Sequence, residues 1–293
     1  MALFRFWAAC ILSQRNAVKI LPFSATRIRP SGLHRRLAHF LFVALSGIGC
    51  AVLPAHAAVI DEIQVYTDDI NKPGEFGLEL HVNTTPKGRS TPDFPNEITP
   101  RRGLRFTPEF SYGLTRDLEA GLYMSYARDV QGTTHFAGPK LRLKWLPLQT
   151  NEDGLGWFMG VNGEYAWVAP EFEESKNFVE LRPIVGYRGR DWLLAANPIL
   201  SWAMSGPDHN GKPDFNPAVK VARNIAAGIA LGVEYYAGLG KINNTLPRPE
   251  QSHTLYFALD YERTPWSINI GIGRGLNDAT DRWTLKTIIA IPF

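Results

Sequence analysis

The chain has 293 residues, 45% of them hydrophobic, and a formal charge of +3. The charge is uneven: residues 1–57 carry seven Lys or Arg and no acid, so the rest holds 24 basic against 28 acidic residues, a net −4 that offers no basic surface for nucleic acid. Both cysteines, Cys10 and Cys50, fall in those first 57 residues, which excludes disulfides, thiolate metal sites and cysteine nucleophiles from the remainder.

Arg35 and Arg36 form a basic flank to the mostly apolar run Leu37 to Pro54. Ala55-His56-Ala57 then places small residues at the −3 and −1 positions of a cleavage site. Residues 1–57 therefore read as an N-terminal extension and cleavable signal peptide, cut between Ala57 and Ala58. Residues 1–33 are read as an upstream start, with a long n-region as the alternative. A retained signal anchor is disfavoured, and Gly47-Ile48-Gly49 before Cys50 is a poor lipidation signal. The segment 58–74 contains Asp61, Glu62, Asp68 and Asp69 and is expected to be a periplasmic arm, with a lumen plug and an extra strand as the alternatives. Asp68, Asp69 and Asn71 do not match a calcium-loop pattern.

From residue 75 to 293 the sequence alternates with period two, the mark of a strand with two different faces. Leu141, Leu143 and Trp145 oppose Lys140, Arg142 and Lys144; Leu118, Leu122 and Met124 oppose Glu119, Tyr123 and Ser125. Twelve such segments are predicted, near 75–84, 102–113, 117–127, 135–147, 155–168, 176–188, 191–204, 214–223, 226–237, 251–263, 265–273 and 281–293. Their links alternate in length, with tight turns at Gly189-Arg190, Asn224-Ile225 and Thr264-Pro265, and long ones at 85–101 and 238–250. Beyond residue 57 no run approaches the ~18 apolar residues of a spanning helix. An even strand count, two-faced strands and alternating links predict an all-β transmembrane antiparallel barrel, with both termini in the periplasm.

Tryptophan spacing agrees. Trp157 and Trp167, Trp192 and Trp202, and Trp283 and Phe293 each stand ten residues apart on one face of a strand. Ten residues at ~3.3 Å rise and a tilt of ~45° span about 23 Å, close to the ~25 Å apolar band between aromatic girdles. The last strand, from Trp283 to Phe293, is amphipathic and ends on phenylalanine. It resembles the terminal signal read by the outer-membrane barrel assembly machinery. The expected location is the outer membrane of a Gram-negative bacterium, with outer-membrane lipids and lipopolysaccharide as surroundings.

Several stretches carry a family resemblance: Phe76-Gly77-Leu78-Glu79-Leu80, Leu181-Arg182-Pro183-Ile184, Asn197-Pro198-Ile199-Leu200, Pro217-Ala218-Val219-Lys220-Val221 and Gly271-Ile272-Gly273-Arg274-Gly275. Over most of the body the chain resembles a proteobacterial family of outer-membrane barrels loosely grouped with the transporters of the phenol meta-pathway. The resemblance implies the fold, and passage of a small solute. Pro108, Pro183, Pro198 and Pro217 fall inside predicted strands at lipid-facing positions, where proline cannot donate to the ladder, and bulges are expected to absorb them.

By parity the inner face holds Glu79, His81, Arg105, Glu109, Glu119, Lys140, Arg142, Lys144, Glu164, Glu180, Arg182, Lys220, Glu234, Asp260, Glu262 and Lys286. These side chains are either pore-lining groups or a salt-bridged filling. Lys140, Arg142 and Lys144, three cations on one strand face, are suited to attract anions. Enzyme signals are weak. Ser252 and His253 are neighbours in a strand and point to opposite faces. His135 reads as a polar rim residue, Asp208-His209 lacks further zinc ligands, and Gly271, Gly273 and Gly275 do not make a dinucleotide fingerprint. No cofactor or metal site reads from the residues. The sequence thus points to a channel or facilitator for small solutes, with anionic and aromatic ones as candidates. A lipid-active barrel enzyme and a structural or adhesive barrel with a filled lumen are the alternatives.

Overall fold

The computed structural model describes residues 62–292; the signal segment, the Ala57–Ala58 junction and Phe293 lie outside them. The strands are β1 (Phe76–Lys87), β2 (Leu104–Gly113), β3 (Leu118–Arg128), β4 (Thr134–Leu148), β5 (Gly156–Trp167), β6 (Asn177–Arg188), β7 (Trp192–Ala203), β8 (Asp214–Ala226), β9 (Ile229–Gly238), β10 (Gly240–Lys241), β11 (Asn244–Thr245), β12 (Ser252–Arg263), β13 (Trp266–Gly275) and β14 (Trp283–Pro292). Twelve of them pair with their sequence neighbours, always antiparallel, and β1 pairs with β14 to close the ring. The short hairpin β10–β11 lies in the link predicted as a long loop and is joined to β8 through Lys241 and Asp214.

Side-chain period explains the closure. Inward positions such as His81, Glu109, Tyr123, Arg142, Asn162 and Glu234 are buried, while Leu122, Leu141, Leu194, Val221, Leu231, Phe257 and Ile272 are exposed. Phe257 and Trp157 are each 63% exposed. An apolar surface this continuous would be a liability in water, but it is the required surface in lipid. A closed ring also leaves no unpaired strand edge in the apolar layer.

At one end of the barrel the links are 114–117, 149–155, 189–191, 227–228 and 264–265, all short except the seven-residue 149–155; at the other they are mostly longer, at 88–103, 129–133, 168–176, 204–213, 239–251 and 276–282. The turn expected at Asn224-Ile225 falls instead at Ala227-Gly228. Strand β8 continues through Ala226 because one residue bulges between Asn224, paired with Ala230, and Ala226, paired with Ile229. Gly228 has φ +68°, and a Cβ there would stand 2.3 Å from the Glu262 carbonyl oxygen, so glycine is needed.

The four prolines predicted inside strands do face outward, and the sheet takes these four without bulges, whereas Pro86 of β1 and Pro147 of β4 fall at register shifts, between Thr84 and Lys87 and between Trp145 and Leu148. Between β6 and β7 the ladder pairs Leu181 with Leu200 and Val185 with Ala196 in one register, and skips the residues between, where Pro183 and Pro198 stand opposite each other. Pro198 also faces Pro217 of β8. Pro108 sits in a similar gap between Phe106–Tyr126 and Glu109–Tyr123. At Pro108, Pro183 and Pro198 the missing N–H donors thus interrupt the ladder locally and leave its register intact.

Candidate functional site: a plugged lumen

The residues before β1 do not trail away from the barrel. They run inside it, and lumen side chains hold them by backbone and side chain alike. Tyr66 N donates to Asn197 Oδ1 at 2.6 Å, and Asn197 Nδ2 donates back to Tyr66 O at 3.2 Å. Lys286 Nζ donates to Ile63 O at 2.9 Å, Lys144 Nζ to Asp69 O at 2.7 Å, and Glu119 accepts from Asn71 N at 2.7 Å. The segment leaves at the short-turn end, where Gly74 N donates to Gly113 O at 2.8 Å and β1 begins. Satisfying backbone groups in this way is the condition for burying irregular chain at membrane depth.

Charge pairing knits segment and wall together. Glu62 meets Arg182 at 2.8 Å and Lys140 at 3.2 Å; Lys140 also meets Glu164 at 2.9 Å, and Arg182 meets Glu180 at 2.8 Å. The Arg182 guanidinium lies 4.3 Å from the centre of the Tyr66 ring, whose hydroxyl is 2.6 Å from that of Tyr123. Arg142 bridges Glu109 and Glu119, each at 2.7 Å, and Lys144 reaches Glu119 at 3.2 Å. On the far wall Lys286 is paired with Glu234 at 2.5 Å, and Lys220 with Asp260 at 2.8 Å and Glu234 at 3.5 Å. Near the turn end Arg188 holds Asp68 at 2.5 Å. Every one of Lys140, Arg142 and Lys144 therefore has a carboxylate partner, which cancels most of the anion attraction that three cations on one strand would exert.

Of the remaining inward candidates, Arg105 lies towards the loop end beside Ile63, Asn83 and Thr284. Glu79 and Glu262 line a cavity of about 240 Å³ with Gln64, Asp69, Arg188 and Lys220. The sequence reading passed over an apolar part of the wall. Leu146, Phe158, Ile184 and Ile199 point inward and pack with Val65 and Tyr66 of the segment. The signal was available, since parity places these four on the same face as the charged residues.

The outward tryptophans occupy both rims. Trp157 and Trp192 lie at the short-turn end, and Trp167, Trp202 and Trp283 towards the loop end. Phe106, Tyr126 and Phe136 continue the loop-end rim across three strands, with ring centres 5.1 and 5.2 Å apart. The histidines of the rim have local partners: His135 Nε2 is 2.8 Å from Asp129, and His253 Nδ1 is 2.7 Å from Tyr235 OH.

Two long links fold over the loop end. Ile98 N donates to Glu171 O at 2.8 Å, and Phe172 packs with Ala127, Ala137 and Ile98. Beside Phe172 the Glu173 carboxyl is buried, and burial, with Asp208 and Glu97 nearby, pushes it up from 4.5 to about 8. The folded links thus bind a proton that the unfolded ones release above about 4.5. The stabilisation is complete below that pH and is lost as pH rises through about 8. Limited proteolysis of the folded barrel should accordingly cut link 168–176 faster at pH 9 than at pH 6, and Glu173→Gln should remove the difference. Equal cutting of the unaltered barrel at both pH values would show that Glu173 does not govern this link.

No protein-family model matches the chain, and no curated protein does. Solved structures do. The COG4313 outer membrane channel from Pseudomonas putida F1 superposes with a TM-score of 0.54 at 12% identity, covering 79% of this chain and all of that one. The KdgM porin follows with a TM-score of 0.49 at 9% identity over 74% of this chain, and LpxR from Salmonella typhimurium with 0.40 at 10% over 73%. At such identities the likeness is one of fold: this chain has the architecture of a bacterial outer-membrane β-barrel.

Proposed function

We propose that this barrel is an outer-membrane facilitator for small solutes, closed at rest by residues 62–72, and suited to partly apolar solutes such as small aromatics rather than to anions. The observation that carries the reading is the lumen itself. A filled structural barrel has no use for a cavity, charged in much of its lining, beside its own N-terminal segment; Phe158, Ile184 and Ile199 are buried behind that segment and would face the lumen once it moves aside. The neutralised trio of Lys140, Arg142 and Lys144 argues against anion selection. The resemblance to the transporters of the phenol meta-pathway points the same way.

Planar-bilayer recording in a salt gradient tests this. Small discrete openings with a reversal potential near zero are expected, and neutral phenol should shorten them. Phe158→Ala should weaken that block. Strong anion selectivity would overturn the solute class. Complete silence, in a barrel whose heat-modifiable gel shift confirms folding and whose residues 62–72 have been removed, would overturn conduction.

A further inference from the structure

Strand pairing brings together three metal-ligating side chains that lie far apart in sequence. Glu79 of β1 and Glu109 of β2 are direct cross-strand partners on the inner face. His81 stands two residues beyond Glu79 and so projects to the same side. Its Nε2 is 3.1 Å from Glu109 Oε2 and 3.8 Å from Glu79 Oε2. One donor atom from each of the three residues falls within 4.8 Å of the others.

Protein contacts alone satisfy this group poorly. Carboxylates directly opposite on a ladder, at Cβ separations of about 4.5–5.5 Å, repel. Arg142 takes the other oxygen of Glu109 but is shared with Glu119. Glu79 receives a bond of only 3.5 Å from Gln64. His81 Nδ1 is buried with no hydrogen-bond partner, as is the hydroxyl of Thr107, which pairs with His81 across the ladder.

We propose that Glu79, His81 and Glu109 bind one divalent first-row cation of the zinc type, through His81 Nε2 and one oxygen of each carboxylate. Bonds of about 2.0–2.2 Å set tetrahedral ligand atoms about 3.3–3.6 Å apart, a range that the two Nε2–oxygen distances bracket. Closing the third edge requires only Glu79 to turn. Its side chain keeps 31% of its surface accessible, facing the cavity that it lines with Glu109, so a fourth position is open to water. Arg142, held on the second oxygen of Glu109, fixes that carboxylate's orientation as an outer partner. Arg142 is shared between Glu109 and Glu119 and Lys144 is paired with Glu119, so the three carboxylates Glu79, Glu109 and Glu119 exceed these two cations by one charge, which a cation at the site offsets. The site stands whether or not the barrel conducts.

Cobalt titration of the untagged protein, purified from membranes, tests the proposal. One equivalent of Co²⁺ should give a saturable visible absorption of low-coordinate type, displaced by Zn²⁺. Glu79→Gln should weaken binding at least roughly tenfold and His81→Gln should abolish it, while Glu152→Gln in an exposed turn leaves it unchanged. No saturable band on a correctly folded barrel would overturn the site, and so would a band that survives His81→Gln. Should His81→Gln fail to fold, the accessible Glu79 makes the same distinction.

Discussion

Removal of residues 62–72 is expected to raise single-channel conductance roughly tenfold, because the interior of a twelve-strand barrel is then limited by its wall alone. The segment fills the centre of the lumen with Tyr66 and Val65, and is fixed there by Glu62, Asn197, Lys286 and Lys144. A point variant gives a graded form of the test. Asn197→Ala removes both bonds to the Tyr66 backbone and leaves the strands untouched, so openings should become longer and more frequent without a change in barrel yield. Conductance that is the same for the unaltered barrel, the deletion and Asn197→Ala would mean that current does not pass where the segment lies.

The second large effect concerns stability. Lys286 and Glu234 are each 1% exposed and are bonded to each other. Lys286→Met leaves Glu234 with Lys220 at 3.5 Å and the Tyr236 hydroxyl at 2.6 Å. Breaking one side of such a buried pair costs about 3–5 kcal/mol, whereas replacing both sides by apolar groups of similar volume is often neutral. Denaturant unfolding of the barrel in detergent should therefore show a large fall in midpoint for Lys286→Met and substantial recovery for the Glu234→Leu/Lys286→Met double variant. If the double variant is no better than the single one, the cost is not that of an unpaired charge.

The strands were legible because their signal is local. Period two in a chain such as Leu118 to Tyr126 fixes both the strand and its faces, and every barrel strand lies within about three residues of its predicted span. The missed turn at Ala227-Gly228 shows the limit: a bulge at Ile225 is a pairing event, and Asn224-Ile225 alone resembles a turn. The lumen was half legible. Parity placed Lys140, Arg142 and Lys144 on the inner face, but their partners come from β2, β3, β5 and the segment before β1, and no local pattern encodes those meetings. The same holds for Glu79, His81 and Glu109, which become neighbours only through the register of β1 against β2. Residues 62–72 read as polar and acidic chain, since the side chains that hold them lie in strands that follow much later.

That distance bears on how the protein reaches its folded state. Tyr66 and Asn197 are 131 residues apart, and Ile63 and Lys286 are 223 apart. Contacts of such separation form late, after the loop-closure entropy between them has been met. The segment precedes in the chain every strand that secures it, and it cannot settle until β7 and β14 are in place. In the interval Glu62, Asp68 and Asp69 surround Val65 and Tyr66 with charge, which keeps a short apolar stretch from premature association. The acids that fasten the segment to Arg182 and Arg188 thus flank its short apolar stretch in the unfolded chain, and docking of the leading segment depends on strands from the middle and the end of the sequence.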